Sequence, residues 1–277
     1  MSQPLLKLIA GEQPLLNVQH AILSAPVRHI FMMGVIWYLT RKKKSIDMHI
    51  LEIGSWMGAS TLSWAQGLKL HNAAQGHISC IDAWQPFFNR ETHQHDLYTQ
   101  MELALTSDTA YQIYNHNMRT LPASITCQHF RGKSANILPV LKPQNFDVVF
   151  IDGDHTYSAV LKDIQQSLSL IKENGIICGD DLNLQLFEID QDHAIKHAEY
   201  DFIQDPLTQR NYHPGVSLAV GEVFEKVSSW GGFWAMQKRE NSWRPISLKN
   251  MPIHYPAHFP ADAIQKAKAH LNDIEIT

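Results

Sequence analysis

Three short segments hold the residue types that could do chemistry beside a bound ligand. Phe150-Ile151-Asp152-Gly153-Asp154-His155 ends an apolar run in two carboxylates and an imidazole, and Gly179-Asp180-Asp181 ends another in two carboxylates. The third, Leu51-Glu52-Ile53-Gly54-Ser55-Trp56-Met57-Gly58-Ala59-Ser60-Thr61, runs from an apolar strand through a glycine turn into a helix start. An imidazole with an ordinary pKa near 6.5 can take a proton at neutral pH. Gly54 and Gly58 let the backbone approach a ligand closely, and the helix that follows offers free N–H groups there. Asp82 closes a further apolar run, where a carboxylate can accept hydrogen bonds from two ribose hydroxyls. In an open α/β sheet, ligands bind at the carboxyl ends of the strands, so these segments are expected to meet in one crevice. That is the layout of an enzyme with a nucleotide-like cofactor. The turn is Gly54-Ser55-Trp56-Met57-Gly58 and not GxGxxG, which argues against nicotinamide and flavin.

The elements that must position these residues are legible as apolar runs at 48–53, 78–81, 125–130, 146–151 and 175–178. Each is bounded by turn residues, with patterns of helical length between several of them, which indicates parallel strands buried on both faces. Val160, Ile164, Leu168 and Ile171 repeat at helical spacing, with Asn174-Gly175 as the stop. Residues 215–224 read as a helix, and 225–230 and 233–237 as two strands split by Gly231-Gly232, one of them running against the rest. The fold expected is α/β, a Rossmann-like doubly wound, mostly parallel seven-stranded sheet with one antiparallel strand and helices on both faces.

Residues 1–45 read as a helical extension interrupted by Pro26, 46–240 as the core, and 241–277 as a C-terminal extension with a proline-rich part and a last helix at 261–271. Two insertions, 85–120 and 183–214, are placed where an acceptor site would be covered, because specificity resides in loops at strand ends. His93-Gln94-His95-Asp96 could ligand a metal, but it reads more simply as a solvated face. Arg41-Lys42-Lys43-Lys44 reads as a solvated turn.

With 277 residues, 44% hydrophobic and 18% charged, the chain can bury one good core. A formal charge of -4 lacks the basic excess of a protein held mainly by phosphates, so no nucleic acid partner is expected. The apolar stretch 30–39 is shorter than the roughly 20 residues a bilayer requires, so no membrane span is expected either. It reads as a buried helix, and Val35-Ile36-Trp37-Tyr38-Leu39 within it suits the core better than a homo-oligomer interface. No signal-peptide pattern opens the sequence, and the cytoplasm is the expected location. Cys80, Cys127 and Cys178 fall in separate strands without CxxC spacing, as packed reduced thiols would.

Taken in order, the turn Glu52-Ile53-Gly54-Ser55-Trp56-Met57-Gly58, the acid Asp82, Gly132-Lys133-Ser134 with Ile137-Leu138-Pro139, and the run ending Asp152-Gly153-Asp154-His155 resemble the class I S-adenosylmethionine-dependent methyltransferases. Within them the chain resembles the small-molecule O-methyltransferases of the catechol, caffeoyl-CoA and macrocin types, over residues 45–240. The resemblance implies S-adenosylmethionine as cofactor and a small-molecule acceptor. It implies that Glu52, Gly54, Ser55 and Gly58 line the methionine and ribose, Asp82 holds the ribose hydroxyls, Trp84 flanks the adenine, and Lys133 and Ser134 sit at its edge. Asp152 then stands both beside the cofactor and in the catalytic group with His155, whose position is that of the lysine base in the catechol-type enzymes. In metal-dependent members the positions of Asp152, Asp180 and Asp181 bind Mg²⁺, and a cation there would lower the pKa of the acceptor hydroxyl. Capping and hydrogen-bonding roles for the same carboxylates are the alternative. A noncatalytic cofactor-binding or assembly protein, or an N-methyltransferase, remains the other reading of the same scaffold.

Overall fold

A computed structural model describes residues 13–41, 47–87, 89, 96–240 and 242–277. Lys42 to Lys44 of the basic run and His93, Gln94 and His95 lie outside the described residues. The chain enters through helix α1 (Arg28–Thr40) and alternates strand and helix: β1 (His49–Ile53), α2 (Ala59–His71), β2 (Gly76–Asp82), α3 (Leu97–Thr106), α4 (Thr109–Met118), β3 (Ile125–Arg131), the single turn α5 (Ser134–Ile137), β4 (Phe146–Ile151), α6 (Tyr157–Ser167) and β5 (Ile171–Gly179). After β5 come α7 (Gln191–Lys196), the small hairpin of β6 (Ile203–Gln204) and β7 (Asn211–Tyr212), α8 (Pro214–Phe224), β8 (Ser228–Trp230), β9 (Phe233–Arg239), β10 (Ser242–Pro245) and α9 (Ala261–Leu271).

The five apolar runs form the parallel half of the sheet, in the order β3-β2-β1-β4-β5. β9 is antiparallel to β5, and β8 and β10 pair with β9 along its other edge, also antiparallel to it. β8 and β10 therefore run with the first five strands, and β9 is the one strand that runs against the sheet. This is the expected Rossmann-like arrangement, widened by β10 where the sequence suggests only a proline-rich tail. Pro245 is tolerated there because an edge strand leaves one row of backbone groups unpaired.

Alternate residues of each strand face opposite layers, as a pleated strand requires. Ile50, Val148, Phe150, Ile176 and Cys178 pack with Phe31, Val35, Trp64 and Leu68 of α1 and α2. Leu51, Val149, Ile151 and Ile177 pack with Val160 and Ile164 of α6 and Val216 and Val220 of α8. Helix α1 is apolar almost all round because the core surrounds it; the described residues contain no helix long and apolar enough to cross a membrane. Val35 and Ile36 are buried within the chain's own core, and Trp37, Tyr38 and Leu39 pack against it. α6 stops at Ser167, and Ile171 opens β5 instead of closing the helix. An apolar residue at helical spacing can equally be the first inward residue of a strand, and here Ile171 pairs with Phe146 across the sheet. Cys80, Cys127 and Cys178 are free thiols in β2, β3 and β5.

Candidate active site

The carboxyl ends of the central strands are stitched together by backbone bonds: Gly54 N–H to Ile81 O (2.8 Å), Asp152 N–H to Ile53 O (2.8 Å), Asp180 N–H to Ile151 O (3.1 Å) and Gly132 N–H to Asp82 O (2.9 Å). Above them opens a cavity of about 1210 Å³, lined at its base by Gly54, Ser55, Asp82, Lys133, Ser134, Asp152, His155 and Asp181. Its far wall carries Tyr98 and Met101 of α3, and His193, His197, Tyr200, Asp201, Phe202 and His213 from residues 183–214. Both insertions thus face the same space.

At the cofactor end, Gly54 sits at φ +84°, and a Cβ there would fall 1.9 Å from the Asp152 carbonyl oxygen, so the turns after β1 and β4 can touch only through glycine. Asp82 anchors the glycine turn. Its Oδ2 accepts the Ser55 and Trp56 N–H groups at 3.0 and 2.9 Å, and its Oδ1 accepts the Trp84 N–H at 2.7 Å. Burial pushes the Asp82 carboxyl up, and these donors oppose the shift. A carboxylate has about four acceptor positions, so one is left for a ligand hydroxyl where two were expected.

Three of the residues expected to line the cofactor do not line the cavity. Glu52 is fully buried beneath the turn on the α2 side of the sheet, where it accepts from the Ser55 hydroxyl (3.0 Å), the Thr61 hydroxyl and the Cys80 thiol (3.3 Å). It braces the turn from behind, because strand alternation sends the residue after Leu51 and before Ile53 to the opposite layer. Gly58 meets α4: a Cβ there would lie 2.7 Å from Met118 Cε. Trp84 is 1% exposed and packs against Tyr111 and Tyr114 of α4 with ring centroids 4.9 and 4.7 Å away, and its indole N–H donates to the Trp56 carbonyl at 2.7 Å. An indole with an apolar wall and a waiting acceptor is more stable in the core than against a ligand. Asp163 of α6, which sequence reading missed, lines this end instead; burial pushes its carboxyl up to about 6 against a hydrogen bond from Ser134.

Asp152, Asp180 and Asp181 do converge, with ligand atoms all within 4.8 Å of one another. The charge among them is already met by a side chain. Nη1 of Arg28, on α1, lies 2.9 Å from Oδ1 of Asp180 and 2.5 Å from Oδ1 of Asp181, and Nε donates to the Gly231 carbonyl at 2.8 Å. With its amide turned to suit both neighbours, Asn183 accepts from Arg28 Nη2 at 3.1 Å. Burial would lower the Arg28 pKa, but Asp180 and Asp181 raise it further than burial lowers it. Asp180 is itself pushed well up by burial, whereas Asp181 is held far below the carboxylate range: burial raises it, and Arg28, His213 and His155 outweigh that. Arg28 Nη1 takes one oxygen of Asp180 and one of Asp181, His155 Nε2 faces the other oxygen of Asp181, and Oδ2 of Asp180 is buried without a hydrogen-bond partner. A divalent ion such as Mg²⁺ would have to share the cluster with the guanidinium of Arg28, and a near-octahedral oxygen shell would have to be rebuilt around the ion.

His155 stands at the centre of a second set. Its Nδ1 is 2.8 Å from Oδ1 of Asp201, its Nε2 3.1 Å from Oδ2 of Asp181 and 3.9 Å from Oδ1 of Asp152. The His213 ring crosses it edge-on with centroids 4.6 Å apart. Burial pulls the His155 imidazole down, but Asp181, Asp152 and Asp154 overcome it and lift the pKa to about 9. Asp152 is pushed up to about 6, by burial first. Asp154 accepts the Thr156 N–H at 2.9 Å, capping the turn into α6.

Arg28, Asp201 and His213 were missed from sequence. Arg28 had one signal, a cation at the N-terminal end of an otherwise apolar helix; the other two sit in an irregular insertion where no periodicity marks them.

Residues 51–182 match a family model described as a methyltransferase domain. Over 139 residues the chain is 25% identical to an uncharacterized protein of Acanthamoeba polyphaga mimivirus, covering 49% of this chain and 52% of that protein. The chain thus spans about half the length of the curated relative it matches. Among solved structures, the O-methyltransferase NovP superposes with a TM-score of 0.50 at 13% identity, over 77% of this chain and 80% of NovP. An O-methyltransferase from Bacillus cereus, in complex with SAH, gives 0.40 at 17% identity, over 83% of this chain and 85% of that one. At 13% identity the likeness to NovP is one of fold.

Proposed function

We infer, from a chain whose residues 51–182 match a methyltransferase domain, that the protein is a class I S-adenosylmethionine-dependent enzyme that methylates a hydroxyl of a small molecule. The observation that carries this reading is the placement of the Asp82-anchored glycine turn and the His155–Asp201 pair on one cavity, large enough for a nucleoside cofactor and an acceptor together. Bound S-adenosylmethionine supplies an electrophilic methyl group on a cationic sulfonium.

The chain's own residues supply the rest. The free acceptor position of Asp82 meets a ribose hydroxyl, and Ser134 and Asp163 offer polar contacts toward the base. An acceptor hydroxyl, unlike an amine, must lose a proton as it attacks, and His155 is placed to receive it. Asp201 on Nδ1 fixes the ring and leaves Nε2 directed toward Asp181 and the cavity. With its pKa lifted to about 9, His155 takes the acceptor proton more readily as the pH rises. Asp152, with its pKa near 6, lies beside the same ring as a second acceptor. Tyr98, Met101, Tyr200 and Phe202 form an apolar and aromatic wall suited to a phenol, a sugar or another natural product. No step needs a metal, because Arg28 holds the acidic pair.

Isothermal calorimetry with S-adenosylmethionine and S-adenosylhomocysteine, followed by a panel of phenolic and sugar acceptors read by mass gain, tests the reading. Micromolar binding and a 14-dalton product are expected; binding of neither cofactor form refutes it.

A further inference from the structure

Resting on the reading of this cavity as a methyltransferase site, we propose that Arg28 is a tethered cation that stands in the place of a divalent metal, making this chain independent of one. Three carboxylates with oxygens this close strongly favour a cation among them, since an uncompensated buried charge is strongly destabilising. The chain provides one from its N-terminal side. Nε, Nη1 and Nη2 of Arg28 are directed at Gly231, the acidic pair and Asn183, so the planar donor fork is used on every side.

The backbone has made room for it. Gly232 has φ +97°, and a Cβ there would fall 2.4 Å from Arg28 Nη2, inside the guanidinium. Only glycine fits the β8–β9 turn while Arg28 occupies this seat. A side chain that had merely strayed into an acidic pocket would not require a matching gap in a turn 203 positions away.

The substitution changes what the cluster does. Arg28 does not line the cavity and cannot polarise an acceptor oxygen as a metal would. It is a positioning residue: it fixes Asp181, and Asp181 fixes Nε2 of His155. The arrangement also cannot be emptied by chelation.

The test is titration of the full chain with Mn²⁺ alone, followed by electron paramagnetic resonance, without cofactor. The wild type is expected to leave the free Mn²⁺ signal undiminished apart from weak binding that survives Asp181→Asn. Arg28→Met, with its circular dichroism unchanged, is expected to gain one site about tenfold or more tighter, lost again on adding Asp181→Asn. A stoichiometric Mn²⁺ in the wild type that Asp181→Asn removes overturns the proposal, as does a folded Arg28→Met chain that gains no site. Should Arg28→Met fail to fold, the wild-type titration decides alone. Calorimetry with S-adenosylhomocysteine on the same preparation keeps the two readings apart: absent cofactor binding refutes the methyltransferase reaction while the Mn²⁺ result still reports on Arg28.

Discussion

Nη1 of Arg28 and Oδ1 of Asp181 meet at 2.5 Å across 153 positions of sequence. The pair joins the first described helix to the end of the fifth strand, and it holds only while the turn at Gly232 stays clear. Gly232→Ala is therefore expected to lower stability twice over, through φ strain of about 1–3 kcal/mol and through a displaced guanidinium. A melting temperature within 1 °C of wild type would contradict the tight seat.

Asp82→Ala should weaken S-adenosylhomocysteine binding about 10- to 100-fold by calorimetry, because the turn loses three N–H···carboxylate bonds of roughly 1.5–3 kcal/mol each before water replaces them. Some thermal stability should go with it, since the carboxylate holds the turn as well as the ligand. Unchanged affinity would remove Asp82 from the cofactor site.

On a confirmed acceptor, His155→Ala should lower kcat by about 10²–10⁴. Asp201→Asn should cost less, because the ring stays but loses the partner that orients Nδ1. The KM for S-adenosylmethionine should move little in either variant. Full activity of His155→Ala across neutral pH would leave Asp152 or simple proximity to carry proton removal.

Stability should fall as pH rises from about 6.5 to 9. The folded pKa of His155, about 9, lies above its unfolded value near 6.5, so its contribution is complete below 6.5 and is lost on passing 9. Asp152, raised to about 6, acts with the same sign at lower pH: its contribution is complete below about 3.9 and lost on passing 6. Urea denaturation at pH 6.5 and pH 9 checks this. A His155→Gln chain that retains the whole slope above pH 6.5 would assign it to other groups.

Trp84→Phe separates a core role from adenine stacking. Lost packing and an unpaired Trp56 carbonyl should cost about 1–3 kcal/mol of stability, whereas affinity for S-adenosylhomocysteine should change less than about threefold. A large loss of affinity without loss of stability would restore the ring to the ligand.

What could be seen in the sequence was what a single strand or turn decides for itself. Leu51, Val149 and Ile177 lie in continuous apolar runs because both faces of their strands are covered, and that pattern needs no knowledge of neighbours. Gly54 and Asp82 were legible because a strand end confers a place in the sheet. Glu52, Gly58 and Trp84 sit in the same stretches but fold away from the cavity, since which way a side chain leaves a turn depends on the packing of α2 and α4. Arg28 and Asp201 owe their meaning to partners far along the chain, and no local spacing announces a contact of that kind. The tail at 242–245 was hidden for a similar reason: an edge strand takes its pairing from β9, not from its own residues.

The seat of Arg28 also orders events during synthesis. The guanidinium is made first, its carboxylate partners about 150 residues later, and the Gly231 carbonyl 203 residues after Arg28. At ribosomal speeds of about 5–20 residues per second, roughly 10 to 40 s pass before the last partner exists. Until Asp180 and Asp181 are made, the guanidinium at the head of α1 has none of its carboxylate partners. The cavity can take its final shape only after the β8–β9 turn has left the ribosome.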